Sequence, residues 1–221
     1  VRHIFYLYGL SDAESMSGVP RLQKNIELFS SLSDNTRMGR RKNFSREEMI
    51  EKAIPVFWKR GFSHTTLEAL ERATGVNKSG LYSEFRDKED LFVECLRYYL
   101  ASQAKRRLLT EEPLGWKNIE TFLKLGPHSK EEQKGCFSIS SMREFAILPD
   151  EAHTIVAQSR ATVKRLVVKN IEAEGSRMDP ESVAEIVLVF FSGLCIEHNL
   201  KSRENSRARK IESLMKVLRS L

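Results

Sequence analysis

Cysteine, glycine and proline are all scarce in this chain. Its 221 residues include three cysteines, Cys95, Cys136 and Cys195, with no CxxC spacing. That excludes a disulfide scaffold and a paired-cysteine zinc site, and it suits a reducing cytoplasm. The 11 glycines and 6 prolines fall mostly between periodic segments. Sustained alternation of apolar and polar residues is missing, which argues against strands. The longest apolar run, Ile186 to Ile196, is far shorter than the roughly 20 residues of a membrane span. The histidines share no ligand spacing. Paired carboxylates, a nucleophile–base set and a phosphate loop are also missing. The expectation is an all-α cytoplasmic protein that is not an enzyme and has no cofactor, metal or membrane partner.

Charge is modest, with 36 basic against 30 acidic residues and a net +6. Its location matters more than its size. The run "RMGRRKN" (37–43) places Arg40, Arg41 and Lys42 just ahead of the first strong helical pattern. Such an arm can follow a DNA backbone or enter the minor groove, or stay a solvated tail. The chain opens with valine and no targeting signal is read there. Residues 1–39 are read as a tail, with Met38 a candidate native start.

From Met38 onward the pattern is helical. Ser45 and Glu48 form a capping-box pair ahead of Met49, Ile50, Ala53, Ile54 and Phe57. Pro55 interrupts that helix and is expected to kink it, since an interior proline costs about 3 kcal/mol. Gly61 suits the helix end. A second helix starts at Thr65 or Thr66, with Thr65 and Glu68 as the expected capping box, and Gly75 ends it. Asn77 caps a third helix carrying Leu81 and Phe85, and Asp87 a fourth. Further helices follow around Phe122, after Pro149, from Asp179 or Ser182 and around Leu214.

The segment 66–85 has two helices too short to be stable alone, with a glycine between them. It reads as a helix-turn-helix. Its apolar residues build a small core, which leaves Asn77, Lys78, Ser79, Tyr82 and Ser83 on the outer face. These are short or polar side chains on a helix slim enough for the major groove. Thr65 and Thr66 at the start of the second helix, with Tyr82 and Lys88, are candidate phosphate contacts. A plain helical hairpin within a bundle is the alternative.

Residues 44–92, "FSREEMIEKAIPVFWKRGFSHTTLEALERATGVNKSGLYSEFRDKEDLF", resemble the DNA-binding domain of TetR-family transcriptional regulators. The matching positions are Ala53, Phe57, Gly61, Phe62, Thr65, Thr66, Ala69, Gly75, Val76, Lys78, Leu81, Tyr82, Phe85, Lys88, Glu89, Leu91 and Phe92. The resemblance implies a three-helix helix-turn-helix domain over 40–100. A helical ligand-binding and dimerisation bundle is implied over 101–221. It also implies a homodimeric repressor, released from a palindromic double-stranded operator by a small-molecule effector. The family's recognition residues map onto Asn77, Lys78, Ser79, Gly80, Tyr82 and Ser83. The family commonly has glycine and then threonine or serine after the lysine. Here Ser79 precedes Gly80, so a hydroxyl contact is lost or moves to Ser79. Glu84 puts an acid on or near the DNA-facing side.

The C-terminal half is less specific. Two helices, one with Phe190, Phe191 and Leu194 and one with Ile211, Leu214 and Leu218, are candidates for a dimer bundle or for the protomer's own core. Trp116, Phe122, Phe137, Met142, Phe145, His153 and Phe190 are candidate walls of an effector pocket or plain core. Cys136 follows Gly135 at a loop-to-helix junction, so it is a redox candidate or a small buried hydrophobe. Two rival readings follow: a redox- or electrophile-sensing regulator acting through Cys136, and a helical protein that binds no DNA.

Overall fold

The computed structural model describes residues 44–101, 104–125, 135–197 and 204–220. Arg40, Arg41, Lys42 and the rest of the expected tail lie outside these residues. The described residues form helices and contain no strand. None of the helices is long and apolar enough to cross a membrane.

Helix α1 spans Arg46–Arg60, and its start is a full capping box. The Ser45 hydroxyl accepts from the Glu48 amide at 3.1 Å, and the Glu48 carboxylate accepts from the Ser45 amide at 2.9 Å. The helix continues through Pro55, with Ala53, Ile54 and Phe57 buried on either side of it. Gly61 closes α1 at φ +79°, its amide donating to the Phe57 carbonyl at 2.8 Å. Helix α2 (Leu67–Thr74) ends on left-handed Gly75, and α3 (Lys78–Tyr82) is a single short turn. Helix α4 (Lys88–Ala101) starts where Asp87 Oδ1 accepts from the Asp90 amide at 2.7 Å.

The remaining elements are α5 (Ala104–Leu108), α6 (Trp116–Leu125), α7 (Phe137–Ser141), a 3-10 segment (Met142–Ile147), α8 (Asp150–Ala173), α9 (Pro180–Glu197) and α10 (Glu204–Leu218). Pro180 occupies the first position of α9, where its missing N–H costs nothing.

Two apolar cores result. The first joins Ile50, Ile54, Phe57, Leu70, Leu81, Phe85, Leu91 and Phe92 to Phe137, Leu148 and Ala152 from the second half of the chain. The expected boundary near residue 100 is therefore crossed by the head's own core. Phe137 sits among Trp58, Phe92 and Tyr99, with ring centroids 5.7, 5.9 and 5.6 Å away. The second core gathers α6, α8, α9 and α10, with Phe122 stacked on Phe191 at 4.5 Å. One polar side chain, Asn170, is fully buried beside it. Its amide donates to the Leu109 and Leu166 carbonyls, both at 2.8 Å, and its oxygen accepts from the Gly115 amide at 2.9 Å. These bonds tie the 109–116 connection to α8 without leaving a buried group unpaired.

Candidate nucleic-acid interface

Helix α3 is held by two local bonds and two buried side chains. Asn77 Oδ1 accepts from the Gly80 amide at 2.9 Å, and the Glu71 carboxylate accepts from the Lys78 amide. Leu81 is 1% exposed and Phe85 2% exposed, so they pin the turn to the first core. The other face is outward: Asn77, Lys78, Ser79, Tyr82 and Ser83 are all exposed, with Tyr82 at 41%. Lys78 Nζ lies over the Tyr82 ring, 5.9 Å from its centroid. The ammonium is thus presented at the surface beside a phenol. Ser83 turns its hydroxyl back to the Gly80 carbonyl at 2.8 Å. Glu84 is half-buried.

The Ser79–Gly80 order has a packing reason. A Cβ at position 80 would lie 2.5 Å from Val76 Cγ1 and 3.3 Å from Asn77 Oδ1. Contacts that close force neighbouring atoms to move, so the glycine stands at the crowded position and the hydroxyl at the open one. Gly75 is also required, because its φ of +74° lies in the left-handed region.

Two expected site residues, Thr65 and Lys88, are turned inward, and a third, Thr66, stays exposed while capping α2. Thr65 is 1% exposed, and its hydroxyl donates to the Gly61 carbonyl at 2.6 Å. Thr66 is the N-cap instead, accepting from the Ala69 amide at 3.3 Å, and is exposed. Lys88 points inward. Its ammonium donates to the Phe62 and Thr65 carbonyls at 3.0 and 3.3 Å and covers the Phe62 ring at 4.4 Å. It is a structural clamp on the turn before α2, not a phosphate contact.

The expected effector-pocket residues do not converge. Trp116 and Phe122 belong to the second core, and Phe137 and Met142 to the first. Phe145 is 55% exposed and stacks on His153 at 3.9 Å. Phe190 lines a different feature, an open groove of about 560 Å³ with Leu214, Val217, Arg209 and Lys210.

Cys136 caps α7 without a side-chain cap bond and is buried. Its sulfur lies 3.4 Å from the Tyr99 hydroxyl and 3.2 Å from the Ser138 hydroxyl. Burial removes the accessibility that a reactive thiol requires. Burial also pushes the Cys95 thiol well above its ordinary value. Among the described residues no group of three or more His, Cys, Asp or Glu side chains could hold a metal ion.

The expected dimer residues also need correction. Phe191, Leu194, Ile211 and Leu218 are buried within the protomer's own core. Only Phe190 and Leu214 of that set are partly exposed. The apolar side chains left outward on α9 and α10 are Ile186, Val189, Ile196 and Val217. With Phe190 and Gly193, the α9 members recur at helical spacing along one face.

Sequence reasoning missed Glu71 and Glu144, both of which hold the head through backbone amides. Glu71 lies seven residues from its partner and Glu144 more than eighty. Neither spacing carries a local signal.

The profile of bacterial regulatory proteins, tetR family, matches residues 49–95. The HTH-type transcriptional repressor ComR of Escherichia coli (strain K12) is 34% identical over 113 residues, 47% of this chain and 52% of that protein. The chain thus spans about half the length of this curated relative. Among solved structures, a cysteine mutant of the TetR family transcriptional regulator CifR, complexed with 26bp double-strand operator DNA, matches with a TM-score of 0.69. It is 22% identical, over 80% of this chain and 98% of that one. The reduced form of E. coli NemR matches with a TM-score of 0.67 and 18% identity, over 80% of this chain and 95% of that one. At these identities the two structures establish the fold.

Proposed function

From the match of residues 49–95 to the profile of bacterial regulatory proteins, tetR family, we propose that this chain is a dimeric DNA-binding transcriptional regulator of that family. Its α3 enters the major groove and reads base edges through Lys78, Ser79, Tyr82 and Ser83. The observation that carries this reading is the division of α3 between buried Leu81 and an outer face of exposed polar groups. Thr66 at the start of α2 adds a phosphate contact, and the sequence run Arg40, Arg41 and Lys42 supplies charge along the backbone. ComR is a repressor and the CifR structure contains operator DNA. Both support the same role here.

The second copy packs on the outward face of α9 and α10, through Ile186, Val189, Phe190 and Val217. Two-fold pairing gives two heads, which meet the two half-sites of a palindromic operator. A small-molecule effector bound among the C-terminal helices shifts the heads and releases the DNA. The setting is the cytoplasm.

The test is selection of bound fragments from random double-stranded DNA by the full chain, followed by gel-shift titration across salt. The expected result is a palindromic preference that weakens steeply as salt rises. Weak, sequence-blind binding alone would overturn the proposal.

A further inference from the structure

The turn at residues 61–65, between α1 and α2, is clamped from two sides. Its acceptors face α4, where Lys88 takes the Phe62 and Thr65 carbonyls. Its donors face the 3-10 segment that follows α7. The Phe62 amide donates to Glu144 Oε2 at 2.5 Å and the Ser63 amide to Oε1 at 3.0 Å. The Ser63 hydroxyl donates to Oε1 as well, and it also lies 2.9 Å from His64 Nδ1. Gly61 makes room for this: a Cβ there would collide with the Glu144 carboxylate, and its φ is +79°.

Glu144 lies in a segment whose neighbours Met142 and Leu148 pack on the first core. It sits at φ −109°, ψ 25°, a break in the helical path between α7 and α8. Just ahead of α7, a Cβ on Gly135 would lie 2.5 Å from the Cys195 carbonyl of α9. Cys136 belongs to the second core and Phe137 to the first. The stretch from Cys136 to Glu144 thus touches the second core, the first core and the turn before α2 in succession.

We propose that Glu144 is a positioning residue for DNA binding. Its carboxylate latches the turn before α2 to the core domain and so sets the angle at which the head presents α3. This rests on the regulator reading above. A dimer must hold two α3 turns at the separation of two half-sites, and any added spread in head angle weakens operator binding. Three charge-assisted or short-range bonds from one carboxylate suit this task, because they fix a direction that apolar packing alone does not.

The test compares the full-length wild type with Glu144→Gln, Ser63→Ala and the double variant. Gln keeps the shape but offers one acceptor oxygen where Glu offers two. Hydrogen exchange of the Phe62 and Ser63 amides is expected to rise about tenfold in Glu144→Gln, with exchange in α9 unchanged. Affinity for the selected operator is expected to fall about tenfold, with sequence-blind binding at low salt unchanged. Ser63→Ala should add less in the Glu144→Gln background than in the wild type. Unchanged exchange at the turn overturns the latch, and so does faster exchange throughout the chain. If the wild type selects no preferred sequence, the regulator reading fails. If it selects one and Glu144→Gln binds that sequence as tightly, the latch alone fails.

Discussion

Ser63 and Glu144 lie 81 residues apart in sequence, yet the Ser63 amide donates to the Glu144 carboxylate at 3.0 Å and its hydroxyl donates to the same oxygen. This pair joins the helix-turn-helix head to the segment between α7 and α8.

Burial acts to raise the Glu144 pKa. The Ser63 hydroxyl, the Ser63 and Phe62 amides and, more weakly, His64 outweigh it and hold the carboxyl below its ordinary value. A carboxyl depressed by folding stabilises the fold above its unfolded pKa and loses that contribution as pH falls through the folded one. Stability from this group should therefore be flat near neutrality and fall below about pH 4.3, the ordinary glutamate value. Urea midpoints of the wild type and Glu144→Gln, measured at both ends of that range, check this. The gap between them should narrow in acid, and a gap that widens would contradict it.

Gly80→Ala tests the crowding against Val76. The added methyl is expected to destabilise the chain by about 1–3 kcal/mol, the usual cost of overpacking. The same change should cost less in a Val76→Ala background. Denaturant titration of the four proteins gives the coupling directly.

Leu81 is buried and Lys78 is exposed within the same short helix, so their truncations should separate stability from binding. Leu81→Ala is expected to cost about 2–5 kcal/mol through lost burial and the cavity left behind. Lys78→Ala should change stability by less than about 0.5 kcal/mol, as surface substitutions do. It should nevertheless abolish the operator preference, as read by gel shift against selected and scrambled DNA.

Val189 is 64% exposed on α9. Val189→Asp should leave the helical circular dichroism of the protomer unchanged while shifting sedimentation from dimer to monomer. A dimer that persists would move the interface elsewhere on the chain.

Asn170→Ala should cost about 1–3 kcal/mol for each backbone group it leaves unpaired, the Gly115 amide and the Leu109 carbonyl among them. Thermal unfolding measures the loss. Hydrogen exchange should localise it to the 109–116 connection.

The sequence by itself determined the local architecture. Ser45, Asn77 and Asp87 cap the helices where their spacing predicts, and Gly61 and Gly75 end helices because few other residues tolerate their backbone. The outer face of α3 was equally legible, because burying Leu81 and Phe85 leaves Lys78, Ser79 and Tyr82 outside. Tertiary structure decided everything in which one residue type has two possible partners. Thr65 and Thr66 offer the same hydroxyl, and only the close of α1 at Gly61 assigns one inward and one to the cap. Lys88 could reach a phosphate or a carbonyl, and the turn beside it supplies carbonyls. Helix α9 is apolar on both faces, so periodicity could not say that Phe191 and Leu194 face inward while Val189 faces out. Glu144 reads as an ordinary surface acid until the chain folds and brings two unpaired amides to it. Capping and turn chemistry act within a few residues, whereas burial and long-range pairing exist only once distant segments meet.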